Sequence, residues 1–396
     1  MNYHIIVQDK FFNIYIEDIY RINQECNNVI WVRGNKGDSN VFQTDRPVEY
    51  LGDDPQKYID KLQILTESDK LIVAWYDTFI GRVVSEAKIP CSLYVYLLGG
   101  DFYAEPLWWH AQWLYDSKTL SKMKETYLKP MLYAPPTWCK PYRVLTNKLR
   151  YRSFMREVKK KYLEKDDTMS IIDYIVLTEH SDKEIEFVKK LYPSCHAVHV
   201  PGVFDQNFDI AKSCPMKLIP EETEPLKILF GNSADPSGNH LDAIHYIKNS
   251  NLRDQKIYSF LSYGDSMSRQ WTIEYANEQI GENFHPVTEY MNRVEFVNFM
   301  NKMDVLMMYH NRQQAEGNIM TALVLGKPVF IKPSNPQYGM LKRMGVKPVY
   351  SVMDMKKTNI REAIRFAQEN RKDTINKIFK EYSQDTRLKH LKKILE

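Results

Sequence analysis

At 396 residues the chain is too long for one ordinary core and comfortable for two domains of about 150–200 residues each. Its balance of 43% hydrophobic and 26% charged residues excludes a disordered chain, and no apolar run approaches the roughly 20 residues of a membrane span. With 54 basic against 50 acidic residues it is no polyelectrolyte, so any affinity for anions has to come from local clusters.

In chain order, the first half alternates short β-branched runs with longer charged segments. Strands are predicted at Tyr3–Val7, Val29–Val32, Leu71–Ala74, Ser92–Leu97, Tyr174–Leu177 and Ala197–Val200. Several are nearly continuous apolar runs, as parallel strands buried on both faces are. Helical segments between them include Asp54–Thr66 and Ser181–Leu191, the latter opening with Ser181 and Glu184 in capping-box spacing. The polar stretch 205–225, with Pro215, Pro220 and the acidic run EETE, is the best linker, although a long surface loop would have the same composition.

After it the alternation restarts, with strands at Lys227–Phe230, Lys256–Leu261, Val305–Met308, Pro328–Ile331 and Pro348–Ser351. Helices are expected at His240–Lys248, Arg269–Ile280, Arg293–Lys302, Ile319–Leu325 and Ile360–Glu369, and the charged segment 372–396 is helical. The expectation is an α/β protein: a Rossmann-like domain 1–204, the linker 205–225, and a second such domain 226–396 that includes the charged C-terminal helix.

Four segments carry the chemistry-bearing residues. In LKILFGNSADPSGNHLDAI, residues 226–244, a buried strand runs into Gly231, Asn232 and Ser233, and Gly238, Asn239 and His240 open a helix. A glycine at a strand end lets backbone approach a ligand, and a helix start offers free N–H groups to a phosphate. Neither G-x-G-x-x-G nor G-x-x-x-x-G-K-[ST] occurs, so dinucleotide and P-loop readings lose their support; a plain tight turn has the same pattern.

The second segment, residues 309–330, sets His310, Asn311, Arg312, Gln313 and Gln314 at a strand end and Gly317 and Asn318 at the next helix start. In a parallel sheet such positions share the ligand-binding edge, where a helix terminus and Arg312 would hold negative charge; the alternative is a solvated loop. In the third, VYLLGGDFYAEP (95–106), Asp101 follows a strand and two glycines. It is placed either to take a proton from an attacking hydroxyl or to cap a helix.

The fourth, residues 140–165, is dense in basic side chains, Arg143, Lys148, Arg150 and Arg152 among them, with tyrosines and leucines interleaved. It suits an anionic membrane surface at about 1 kcal/mol per basic residue, and equally a solvated helix face; no nucleic-acid reader motif accompanies it. Metal chemistry has little support, since neither D-x-D nor C-x-x-C occurs. The five scattered cysteines and a start without a basic region ahead of a long apolar stretch lead to an expected cytoplasmic location.

Together these segments resemble glycosyltransferase family 56, the TDP-N-acetylfucosamine:lipid II N-acetylfucosaminyltransferases. That family's GNS-x-D-x-S-x-x-H segment is similar to Gly231–His240, its R-Q-Q-x-x-G segment to Arg312–Gly317, and its G-x-D-x-Y segment to Gly99–Tyr103. The resemblance implies a GT-B fold, two Rossmann-like domains facing across a cleft. It also implies a nucleotide-sugar donor on the C-terminal domain and a lipid-linked glycan acceptor, with peripheral attachment to the inner face of the membrane.

On that basis a dTDP- or UDP-linked sugar, N-acetylfucosamine-like or another hexose or amino sugar, is expected as donor for a surface polysaccharide such as capsule or O-antigen. Its diphosphate would sit between Gly231–Ser233 and Gly317–Asn318, near Arg312, Gln313, Gln314, Asn239 and His240. Glu289 would meet the ribose or sugar, and Asp101 would act as base. No cofactor and no metal are expected, helix termini and basic side chains meeting the leaving charge. A nucleotide-sugar epimerase of the same fold and a non-catalytic nucleotide-sugar-binding protein remain alternatives.

Overall fold

A computed structural model of the chain describes residues 1–9, 11–22, 27–98, 114–128, 170–177, 194–200, 208–252 and 254–396, with isolated helical positions between 152 and 189. These residues divide into two units, one of Met1–His110, Phe154–Asp205 and Lys380–Glu396, the other of Ala111–Ser153 and Gln206–Phe379.

The first unit is built on strands β1 (Asn2–Ile6), β2 (Asn28–Arg33), β3 (Glu49–Gly52), β4 (Lys70–Ala74), β5 (Ser92–Leu97), β6 (Tyr174–Leu177) and β7 (His196–His199). Their order is β3-β2-β1-β4-β5-β6-β7, and every pairing is parallel. β1 is buried at all five positions, and its polar Asn2 and His4 are met there by hydrogen bonds, Asn2 Nδ2 donating to the Leu395 carbonyl and the His4 ring pairing with the Tyr15 hydroxyl and Asn28 Oδ1. Helices Pro55–Leu62 and Thr78–Ala87 start where a carboxylate can take their free amides: Asp54 accepts from Gln56 N–H at 3.0 Å and Asp77 from Ile80 N–H at 3.1 Å.

The second unit carries β8 (Lys227–Phe230), β9 (Lys256–Phe260), β10 (Phe284–Val287), β11 (Val305–Met308), β12 (Val329–Ile331) and β13 (Val349–Ser351). The order is β10-β9-β8-β11-β12-β13, again all parallel. Its core joins Ile228 and Phe230 of β8 to Val305 and Met307 of β11, Ala243, Ile244 and Ile247 of the helix His240–Lys248, and Phe330 of β12. Both sheets are thus the doubly wound α/β type that the alternation of apolar runs implies.

Several expectations are corrected by packing. The last helix, Gln384–Leu395, belongs to the first unit and not to the second domain. Its Leu391, Ile394 and Leu395 enter the core with Ile16 and Ile19. Arg387 Nε donates to the fully buried Asp18 at 2.9 Å, and Asn2 Nδ2 and Lys70 Nζ donate to the Leu395 and Ile394 carbonyls. A helix whose terminal carbonyls are met by side chains of β1 and β4 is fixed there.

The segment expected as linker contains the helix Asp209–Ser213 and is tied to the second unit. Arg371 Nη2 donates to the carbonyls of Ala211, Lys212 and Cys214 at 3.0–3.1 Å, and its Nε to that of Val324. Residues 114–128, from the sequence between the first unit's strands, also pack in the second unit. Among the described residues no helix is long and apolar enough to cross a membrane. The expected helix Ser181–Leu191 lies outside the described residues apart from Glu186 and Lys189, both helical.

Candidate functional site

In the second sheet the chain winds from β8 through β9 to β10, then crosses to β11 on the other side of β8. The switch point of a doubly wound sheet, outside the carboxyl ends of its strands, is where ligands bind. Here it is flanked by Gly231 after β8 and by Tyr309–Gln314 after β11. Gly231 N–H, at the mouth of this edge, still pairs with the Met307 carbonyl at 3.3 Å.

The structure draws Asn232, Arg312 and Gln314 into one hydrogen-bonded cluster. Gln314 Nε2 donates to Asn232 Oδ1 at 3.1 Å, and Asn232 Nδ2 to the Tyr263 hydroxyl at 3.4 Å. Arg312 Nε donates to Ser237 Oγ at 3.1 Å. That hydroxyl lies 2.5 Å from Asp235 Oδ1 and 2.9 Å from Gln314 Oε1, with one proton to offer the two acceptors. Asp235, Ser237 and Tyr263 complete the cluster but were not singled out by the strand-end argument. The first two lie inside the GNS-x-D-x-S-x-x-H match, which was the available signal.

Beyond Gln314 the backbone turns through Ala315, which holds the left-handed φ of +62°, into the helix Glu316–Val324. Ala315 supplies no capping side chain, so the amides of the first turn, Gly317 and Asn318 included, get none from the N-cap position. This half-exposed turn, with Arg312 and Asn232, forms the open face of the site. Ser233 is buried, its hydroxyl accepting from Asp235 N–H at 3.3 Å.

His240 and Asn239 take up structural tasks rather than positions on that face. A Cβ at Gly231 would lie 2.7 Å from His240 Nε2, and one at Gly238 would lie 2.4 Å from its Cε1. Both glycines therefore make room for the imidazole. Burial pushes His240 down to about 4, so the ring is neutral, and neither nitrogen has a hydrogen-bond partner among the described residues. Asn239 is fully buried; its Nδ2 donates to the Leu114 carbonyl at 2.9 Å and its Oδ1 accepts from Asp116 N–H at 2.8 Å.

Those contacts belong to a strap, the helix Ser117–Met123 and the residues before it, clasped by the second unit. Asp116 takes Lys332 Nζ on both carboxylate oxygens at 2.6 and 2.8 Å, and Asn311 Nδ2 on one at 3.1 Å. Asp242 accepts from the Lys118 and Thr119 amides. His310, next to Asn311, is buried and pushed down to about 3, mainly by burial and then by Arg312. Sequence reasoning missed this strap entirely, because its partners are more than a hundred residues apart.

Glu289 is exposed after β10, the edge strand, two strands from β8, and has not joined the cluster. Asp101, Arg143, Lys148 and Arg150 lie outside the described residues; Arg152 is helical and exposed. Among the described residues no three His, Cys, Asp or Glu side chains are grouped as metal ligands.

Two parallel-sheet α/β units, the second with a polar switch-point edge, make up the GT-B fold. The chain belongs to the 4-alpha-L-fucosyltransferase family, glycosyl transferase group 56, whose family model matches residues 181–393. The match contains the Asn232–Gln314 cluster and excludes Asp101. A glycosyltransferase from Rickettsia africae shares the fold with a TM-score of 0.61 at 11% identity, over 100% of this chain and 98% of that one. An alpha,alpha-trehalose-phosphate synthase (UDP-forming) from Burkholderia xenovorans aligns at 0.54 and 10% identity, covering 100% of both. A mutant O-GlcNAc transferase from Thermobaculum terrenum aligns at 0.57 and 12%, over 99% of this chain and 66% of that one. Among curated protein sequences none matches significantly.

Proposed function

We infer that the chain transfers an N-acetylfucosamine-like sugar, or another hexose or amino sugar, from a dTDP- or UDP-linked donor to a lipid-linked glycan. The setting is bacterial surface polysaccharide synthesis, capsule or O-antigen, at the inner face of the cell membrane. The observation that carries this reading is the open first turn of Glu316–Val324 beside Arg312 and Asn232, at the switch point of the second sheet.

A departing nucleoside diphosphate gains negative charge on its bridging oxygen as the glycosidic bond breaks. Fixed N–H dipoles at Gly317 and Asn318 and the Arg312 guanidinium stabilise that charge without reorganising. These groups do so without a divalent ion, and Asp101 takes the proton from the acceptor hydroxyl. The Asn232–Gln314–Ser237–Arg312 bonds hold the guanidinium ready. Glu289 reaches the ribose or sugar, and the basic segment containing Arg143, Lys148, Arg150 and Arg152 meets anionic headgroups.

Calorimetric titration with dTDP, UDP and GDP in the presence of EDTA tests this. One nucleoside diphosphate is expected to bind, and Arg312→Ala to weaken it by at least about tenfold, the effect of losing a charge-assisted contact. Binding that needs magnesium would replace the metal-free mechanism, and no binding under either condition would remove the donor assignment.

A further inference from the structure

The first sheet has a switch point of its own, between β1 and β4. The chain winds outward from β1 through β2 to β3 and then crosses to β4 on the other side of β1. The pairing Ile5↔Val73 ends these two strands side by side. The residue that follows β4 is Trp75, and its backbone holds a φ of +70°. A bulky side chain in the left-handed region is a true outlier, and such strain persists where surrounding structure imposes it, often at binding sites. Trp75 is nonetheless 37% exposed, while Tyr76 beside it is buried. The chain holds a strained backbone and leaves part of a large apolar residue exposed.

Polar groups stand round the same edge. Asp77, two residues on, takes Arg33 Nη1 at 2.5 Å, and Arg33 Nε reaches Asp53 at 3.4 Å. Gln8, two residues past the end of β1, donates its amide to the Arg33 and Asn35 carbonyls at 3.1 and 3.0 Å. A partly exposed tryptophan on a strand-end edge that also carries a side-chain amide and carboxylates suits a pyranose, which presents a C–H face to an aromatic ring and hydroxyls to polar groups. Arg33 is already engaged by two carboxylates, so the surroundings favour a neutral sugar over an acidic one.

We propose that Trp75 is the stacking platform of a pyranose-binding subsite on the first unit, taking a neutral hexose or N-acetylhexosamine of the acceptor glycan. The proposal rests on the glycosyltransferase reading for the word acceptor, and on the first unit's own geometry for the subsite. Gln8 and Asp77 orient hydroxyls, and the ring excludes water from one sugar face.

The test uses the full chain labelled with 5-fluorotryptophan, the fluorine resonance absent from Trp75→Phe being assigned to Trp75. Methyl glucoside and methyl N-acetylglucosaminide are expected to shift that resonance saturably, and methyl glucuronide to do so more weakly. Trp75→Gly, read by ligand-observed NMR, is expected to weaken binding by about fivefold while leaving the melting temperature unchanged or higher, because glycine relieves the φ. Trp75→Phe should lie between.

A silent Trp75 resonance with both neutral pyranosides, or unchanged binding in Trp75→Gly, overturns the subsite. A marked fall in melting temperature with unchanged binding assigns Trp75 to packing and overturns it too. An equal response to the glucuronide overturns the neutral selectivity. Parallel titration with dTDP and UDP separates the two readings: if nucleotide binds and Trp75 is silent, only the subsite fails, whereas loss of all nucleotide binding strikes the donor assignment.

Discussion

Asp242 Oδ2 accepts both the amide N–H and the hydroxyl of Thr119, at 2.9 and 2.8 Å, across 123 residues of chain. Its other oxygen takes Lys118 N–H at 3.0 Å, so the helix Ser117–Met123 is capped by a carboxylate from another helix. Asp116, at the position where the cap would ordinarily sit, spends its carboxylate on Lys332 instead. Asp242→Ala is expected to destabilise the second unit by about 1–3 kcal/mol, since buried donors lose their acceptor. Urea unfolding gives the size, and faster amide exchange at Lys118 and Thr119 gives the place; Asp242→Asn should be milder.

The Asp116–Lys332 pair is mostly shielded and shares Asn311, which in turn accepts from Ser334 at 2.7 Å. Removing either charge alone leaves the other without its partner. Lys332→Met and Asp116→Leu are each expected to destabilise, and the double variant to lose at least about 1 kcal/mol less than their sum. A double-mutant cycle by urea unfolding measures that coupling; strict additivity would show that the two charges do not interact.

Gly238 and Gly231 are held by the His240 ring. Gly238→Ala is expected to destabilise by about 1–3 kcal/mol through overpacking, and His240→Ala to restore part of that loss in the double variant. Gly231→Ala adds the strain of φ +68°, so His240→Ala should rescue it less completely. Thermal denaturation of the four variants separates steric from backbone effects.

Buried neutral histidines give the fold an acid-sensitive window. Burial lowers His4 and His240 to about 4 and His310 to about 3, from an ordinary 6.5. Below 6.5 the unfolded chain binds protons that the folded chain refuses, so this stability is complete above about 6.5 and is lost as pH falls toward 4. Urea midpoints measured from pH 7 to 4 are expected to drop across this window. His240→Gln should flatten the slope, and an unchanged slope would mean that this ring does not contribute.

The β/α alternation was legible because parallel strands buried on both faces leave continuous apolar runs: Lys227–Phe230, Val305–Met308 and Tyr174–Leu177 stand where the sequence places them. Two of the four edge strands were not. β3, Glu49–Gly52, and β10, Phe284–Val287, pair on one side only, carry Gly52 and Pro286, and have no such run. The helix Pro336–Arg343 was missed although Asn335 and Pro336 form an N-cap and first-turn signal.

By itself the sequence determined two α/β units and the strand-end positions of Asn232, Arg312 and Gln314, because strand burial and helix starts are local and periodic. The tertiary structure decided which of those residues meet a ligand face and which are spent on packing. Asn239 and His240 look like site residues in the chain and are buried in the fold, one clasping Leu114 and Asp116, the other wedged between two glycines. It also decided that the charged final helix closes the first unit, through Arg387 and the buried Asp18. The pairings of Asn239 and of Arg387 join residues more than a hundred positions apart, and no local periodicity encodes them.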